Sequence, residues 1–304
     1  MFSWPDPGTR VTVRFRRPAG SVPPLTDAVG HLLAIEPMVR VKTKTGAVVE
    51  FAASDAVALR VLTDTPIRNS QIRALEHAAA AAWPGAEHEW LDGWLLRAGH
   101  GAGIAANSAV PLDLSAQVGT IPAIVDWYER RGLTPRLALP ERVLTLPPGL
   151  NAEHTEQVVV RDLSGPRAGD AGPSITLSPR PDDTWLRIHG GDVPVDVLTA
   201  VIDGELMFGT HSDATVARAA VTRTPDGAMW VGISAVRSAE NDCDDRAGAQ
   251  LCEALLAWGA DRGATRGYLL VPDTGATALA AALGFRLHHR RRYVPVRPGG
   301  WDSV

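Results

Sequence analysis

Between Val236 and Gly259 the chain reads Val-Arg-Ser-Ala-Glu-Asn-Asp-Cys-Asp-Asp-Arg-Ala-Gly-Ala-Gln-Leu-Cys-Glu-Ala-Leu-Leu-Ala-Trp-Gly, and here residue type and spacing allow chemistry. Met229 to Val236 has the composition of a strand. Leu251, Leu255 and Trp258 then recur at helical spacing, with a polar loop ending in Gly248 between the two. First-turn amides of a helix have no intrahelical partners and the helix dipole favours an anion there. The amides of Ala247, Gly248 and Ala249 therefore form a candidate phosphate cradle, to which Arg246 can add a guanidinium. Asp242, Asp244 and Asp245 oppose that reading, since carboxylates at a helix start cap the same amides. The loop is thus either an anion cradle or a self-capped helix start.

The elements that must position this loop flank it on both sides. Upstream, Leu206-Met-Phe208 has the composition of a strand and Val216 to Val221 alternates; Pro225-Asp-Gly227 marks a turn, so two antiparallel strands lead into Met229–Val236. Val195 to Ile202 has helical spacing, and Ser174 to Ser178 opens this half. Downstream come Tyr268-Leu-Leu-Val271 as a buried strand, an Ala-rich helix, Leu283-Gly-Phe285, and the basic strand-like run His288-His-Arg-Arg-Arg-Tyr293.

The order strand, phosphate loop, helix, strand, helix, Leu-Gly-Phe, strand resembles the acetyl-CoA-binding half of the GNAT N-acyltransferases. The resemblance implies an enzyme that moves an acetyl group from acetyl-CoA, its co-substrate, to a primary amine by direct attack. The acceptor is a small amine or a protein lysine. It further implies that the backbone of Ala235, Val236 and Arg237 binds the acyl-pantetheine. The family loop, Gln/Arg-x-x-Gly-x-Gly/Ala, falls on Cys243-Asp-Asp-Arg-Ala-Gly248. Cys243 stands for its Gln or Arg and Arg246 for its first Gly; Gly248 alone matches. Counting back from Gly284-Phe285, the family's Asn falls on Asp273 and its general-acid Tyr on Ala280, whose methyl group donates no proton. No catalytic acid or base is assigned. His288, His289 and Tyr293 are the nearest candidates, each with a structural alternative, and strand alternation lets at most one of the two histidines reach a shared site. The rival reading is a non-catalytic GNAT-fold binding module with a degenerate loop.

The first half repeats the pattern without the loop. Residues 67–83 form a helix stopped by Pro84-Gly85, and Trp90 to Arg97 and Asn107 to Leu112 read as strands. Ile121 to Arg131 reads as a helix capped by Gly132, and Leu137-Ala-Leu139 as a strand. Gly99-His-Gly-Ala-Gly103 lies between strands and reads as a hairpin-type connection. Before it, Val11, Val13 and Phe15 alternate with polar residues, and short strands follow between Pro/Gly turns, the signature of a small β-barrel. This part resembles the SH3-like domain of some actinobacterial GNAT proteins. Its eight basic residues against five acidic ones are solvated strand faces or a surface for a protein partner; without interleaved aromatics, nucleic acid is disfavoured. The expected fold class is α/β (α+β): an SH3-like barrel at 1–63, a GNAT-like half at 67–162 and the acetyl-CoA-binding half at 174–304. Thr63–Pro66 and Ser164–Pro173 read as linkers.

Composition bounds these readings. The chain has 304 residues, 45% hydrophobic and 21% charged, with a net charge of −4, as expected of an ordinary globular protein. Two cysteines, Cys243 and Cys252, fit a reducing cytosol. No signal-like start, apolar membrane span, metal-ligand spacing or nucleophile elbow is seen, so a cytoplasmic location is expected. Arg286, Arg290, Arg291, Arg292 and Arg297 make the last strand basic. They either attract adenosine phosphates or an acidic partner, or solvate a strand at a sheet edge.

Overall fold

The computed structural model describes residues 4–62, 67–145, 151–163, 174–239, 245–273 and 278–296, the side chain of Asp245 excepted. Both expected linkers, and the expectations for Asp242, Cys243, Asp244, the Asp245 side chain and Arg297, lie outside the described residues. The chain divides into two units, Met1–Pro66 and Ile67–Val304.

The first unit is one antiparallel sheet of β1 (Arg10–Arg16), β2 (Leu25–Ala34), β3 (Val39–Thr43), β4 (Val48–Phe51) and β5 (Ala56–Val61), in the order β4-β3-β2-β1-β5. Alternation sends Val11, Val13, Leu32 and Val41 inward, and Phe15 stacks on Phe51 at 4.1 Å between ring centres. The outward arginines meet cross-strand carboxylates: Arg14 faces Asp27 and Arg40 faces Glu50. At Gly30 a Cβ would stand 1.9 Å from the Lys42 carbonyl oxygen, so β2 and β3 approach this closely only because the residue is glycine.

The second unit opens with α1 (Asn69–Ala82), β6 (Glu87–Leu91), β7 (Trp94–Ala98), β8 (Val110–Pro111), α2 (Ile121–Glu129) and β9 (Arg136–Pro140). It continues with β10 (His154–Asp162), β11 (Ile175–Ser178), α3 (Asp183–His189), α4 (Val195–Leu198), β12 (Glu205–His211), β13 (Thr215–Arg223) and β14 (Met229–Ser238). The last elements are α5 (Asp245–Asp261), β15 (Arg266–Pro272), α6 (Ala278–Ala282) and β16 (Arg286–Pro295). Eight strands form one sheet in the order β11-β12-β13-β14-β15-β10-β16-β9, and β6-β7-β8 form a second. A parallel bridge between Ala109 and Leu137 joins the two sheets. Only β14 and β15 run parallel within the large sheet. Its two faces are covered differently. Leu251, Leu255 and Leu256 of α5 pack on one, and Leu75, Ala78 and Ala82 of α1 on the other, beside Trp230 and Tyr268.

Four expectations change. The run Trp90 to Arg97 is a hairpin, turned by Asp92-Gly93, both at positive φ as a two-residue turn requires. Helical spacing over Val195–Ile202 yields only the short α4, while Asp182 caps the unexpected α3 by accepting the Trp185 amide at 2.8 Å. β10, half polar along its length, is inserted between β15 and β16. β16 is consequently an interior strand where β9 also pairs with it, from Arg291 to Pro295, so Arg291 and Arg292 blunt no edge. Among the described residues no helix is long and apolar enough to cross a membrane.

Candidate active site

β14 and β15 pair only from Trp230/Arg266 to Ile233/Leu269 and then part. Beyond Ile233, β14 stays hydrogen-bonded to β13, but its register shifts by one residue between Val216 and Arg218. The extra residue falls at Ala235, held at φ +53°, a conformation few non-glycine residues adopt. Bulge and parting together leave the β15-facing edge of Ser234–Ser238 without a strand partner. Two cavities, of 480 and 340 Å³, open at this point and share Ile233, Ser234, Ala235, Arg237 and Leu270.

The larger cavity is apolar and backbone-rich. Val236, Ser238, Val271 and Leu279 line it together with Gly248, where an added Cβ would meet no atom closer than Leu279 Cδ1 at 3.9 Å. Gly248 thus leaves the backbone of the first turn of α5 bare to the cavity. α5 begins at Asp245, so the backbone of Arg246 and Ala247 lies in its first turn, whereas Ala249 can bond back to the Asp245 carbonyl. Among the residues singled out from sequence, Ala235, Val236, Arg237 and Gly248 meet at this cavity. Asp273 does not line it; its carboxylate accepts from Gln157 Nε2 at 3.0 Å and Arg290 Nε at 3.2 Å. Ala280 is buried in the α5 core.

The smaller cavity is built from charge. Arg97, Glu156, His189, Arg218, Tyr268 and Arg291 line it, and all but Glu156 are nearly or fully buried. Tyr268 lies across β14 because residue 232 is glycine: a Cβ there would sit 2.2 Å from the tyrosine ring. Arg218 donates from Nε to the Leu198 carbonyl at 2.7 Å and from Nη2 to those of Ala82 and Ala200, both at 2.9 Å. Its Nη1 reaches Ser234 Oγ at 3.3 Å, and its guanidinium stacks on Trp83. Arg97 donates to the carbonyls of Ser108 and Trp83 and to Ser108 Oγ. Burial lowers the pKa of both guanidiniums.

Arg291 is arranged differently. Its Nη2 and Nε donate to Glu76 at 2.7 and 3.2 Å, and His289 Nε2 stands 2.6 Å from the same carboxylate. Burial alone would raise the Glu76 pKa; Arg291 and His289 outweigh it and bring it down to about 2. His288 and His289 both turn inward, with their Nδ1 atoms 2.8 Å apart, because β16 slips one register against β10 at His288. Alternation therefore fails at these histidines. Burial, then His289, holds His288 neutral with a pKa near 3. The Tyr293 hydroxyl sits between Arg291 and the Glu156 carboxylate. These candidates form a structural network behind the cavity.

His189 ends α3, stacked on Trp185 with ring centres 4.9 Å apart, and its Nδ1 has no hydrogen-bond partner among the described residues. Burial, then Arg237, lowers its pKa against the pull of Asp192, which keeps the imidazole neutral. Sequence reasoning passed over Arg97, Glu156, His189, Arg218 and Ser234. The signal for the arginines was present: each interrupts an otherwise apolar strand, Trp-Leu-Leu-Arg-Ala and Thr-Val-Ala-Arg-Ala-Ala-Val. Nothing marked His189 or Ser234. Among the described residues no cluster suited to a metal ion occurs.

A family model described as "Probable histone acetyltransferase Rv0428c C-terminal" matches residues 69–294, and one described as "Rv0428c N-terminal Sm-like domain" matches residues 5–60. The family model describes this first unit as Sm-like where the sequence resembled an SH3-like barrel; short alternating strands specify a small β-domain without distinguishing the two. A curated protein of Mycobacterium tuberculosis (strain ATCC 25618 / H37Rv), "Probable histone acetyltransferase Rv0428c", is 62% identical over 304 residues, 100% of both chains. Among solved structures, a GCN5-related N-acetyltransferase from Kribbella flavida aligns with a TM-score of 0.50 at 14% identity, over 76% of this chain and 96% of that one. A tandem GNAT protein from the clavulanic acid biosynthesis pathway aligns with a TM-score of 0.42 at 13% identity, over 62% and 74%. With the family model spanning most of the second unit and a relative alike along its whole length, the chain belongs to the family of the probable histone acetyltransferase Rv0428c, and the Kribbella flavida structure shows it to have the GNAT fold.

Proposed function

We propose that the protein transfers an acetyl group from acetyl-CoA to a primary amine, with the co-substrate in the larger cavity and the acceptor in the smaller one. The observation that carries this reading is the parting of β14 from β15 at Ala235, where one stretch of bare backbone borders both cavities. Backbone groups of Ala235 to Arg237 bind the pantetheine arm, and the first turn of α5 at Arg246 to Gly248 takes the pyrophosphate, with the glycine admitting it to the backbone. Acetyl-CoA supplies the acyl thioester; the amine nitrogen bonds to its carbonyl carbon, the C–S bond breaks, the departing thiolate takes a proton from solvent, and amide and free thiol are the products. His189, neutral and fixed on Trp185, takes the proton that the amine gives up. Ser234, shared by both cavities, accepts a hydrogen bond from Arg218 Nη1 and offers a hydroxyl where the two cavities meet. The acceptor is a small amine or a protein lysine; the name of the M. tuberculosis relative points to the second.

Calorimetry with acetyl-CoA tests the reading. Micromolar to submillimolar binding is expected, and Gly248→Glu is expected to abolish it while leaving the thermal transition unchanged. Absence of binding to the native chain at millimolar ligand would leave the rival, a non-catalytic GNAT-fold module.

A further inference from the structure

Arg97 and Arg218 donate to the consecutive carbonyls Trp83 and Ala82 at the end of α1, and both line the 340 Å³ cavity. Two guanidiniums therefore border one cavity, at 2% and 1% exposure, and no carboxylate forms an ion pair with either among the described residues. Carbonyl dipoles satisfy their N–H groups, and the Glu76 charge that acts on Arg97 is shared with Arg291. Arg237 adds a third cation to the same wall. The acidic groups at hand are already committed: Glu76 to Arg291 and His289, and Glu156 to Tyr293 and Arg291. His189 is neutral. Burying a guanidinium without a paired anion is costly, and a lysine-rich peptide would bring more positive charge to a wall already in excess.

We propose that the smaller cavity recognises an anionic group, carboxylate or phosphate, carried by a small acceptor amine, and that Arg97 and Arg218 position it. The inference rests on the acyl-transfer reading for the identity of the acceptor. The cavity lies at the small end of the range for ligand sites, about 300–1,000 Å³, which suits a compact amine better than a peptide. Arg237, at the boundary of both cavities, then faces the junction where amine and thioester meet.

The test compares matched amines on the full chain: β-alanine with n-propylamine, 4-aminobutyrate with n-butylamine, O-phosphoethanolamine with ethanolamine, and a lysine-rich peptide. Release of CoA thiol gives kcat/KM, and calorimetry of each amine with the protein gives binding even without turnover. The anionic member of at least one pair is expected to lead by about ten- to a hundredfold, and the carboxylate and phosphate arms identify the source of the charge. Arg218→Gln and Arg97→Gln should each collapse that ratio towards one, while Arg218→Lys retains part of it. A purely structural role would lower stability and leave the ratio unchanged. The inference is overturned by equal binding and turnover within every pair, by preference for the lysine-rich peptide, or by a ratio that survives both Gln variants. Failure of acetyl-CoA to bind would instead count against acyl transfer, with the amine titrations still deciding the anion site.

Discussion

Two groups of buried arginine stand behind the same cavity and differ in one respect. On β16, Arg291 shares a carboxylate with His289 and has Tyr293 and Glu156 as further neighbours, a closed network in which charge is balanced from within the chain. At the end of α1, Arg97 and Arg218 are equally buried and hydrogen-bonded, yet only to carbonyls and hydroxyls. Satisfied donors are not the same as a compensated charge. The first network is complete as it stands; the second is complete only in its hydrogen bonds.

The strongest challenge to that contrast is Glu76→Ala. It strands Arg291 in the interior and is expected to cost about 3–5 kcal/mol in urea unfolding, whereas Arg97→Gln, with no carboxylate to strand, should cost clearly less; equal losses would erase the distinction. His189→Ala probes the cavity rather than the network. It should lower kcat/KM by about a hundredfold or more while leaving acetyl-CoA binding and the melting temperature close to native, and an unchanged rate would remove His189 from proton transfer. A third, graded effect comes from pH. His288 titrates near 3 in the fold against 6.5 for the free side chain, so the unfolded chain takes up the proton first as pH falls. Its contribution is whole above pH 6.5 and drains away towards pH 3, by about 1.4 kcal/mol per pH unit. Glu76, held near 2 against 4.5, adds to the loss in the same direction below pH 4.5. Denaturation midpoints should therefore hold between pH 7.5 and 6.5 and fall from there to pH 5, and a flat profile throughout would mean that His288 is not held neutral.

What was legible in the sequence followed from periodicity and turn chemistry. Helical spacing gave α1, α2 and α5, because each of these helices buries one regular face; β13, buried on both faces, was legible from its apolar run and the Pro225-Asp-Gly227 turn. The Asp92-Gly93 turn was equally plain in residue type and was overlooked. Other features left no readable trace. Ala235 carries no mark of its positive φ, since the strain is imposed by register with β13 and not by the residue itself. The slip at His288 defeated a correct rule of alternation. β10 offers three consecutive valines in a polar context, and its status as a central strand depends on partners far along the chain. The catalytic geometry was visible as an arrangement of elements, while the charged wall emerges only where α1, β7 and β13 converge.

The insertion of β10 also governs how this protein can be made. Gln157 meets Asp273 across 116 residues of sequence, and every hydrogen bond that closes the sheet between β15 and β16 spans a comparable distance. Such contacts are the last to repay the entropy of loop closure, so high contact order should make completion of this sheet the slow step of folding. Until β10 arrives, β15 and β16 present unpaired edges to any neighbouring chain. Emerging from the ribosome, the first half must hold its final strand in reserve for a partner not yet synthesised, and synthesis of the two halves as separate chains would leave each with an aggregation-prone flank.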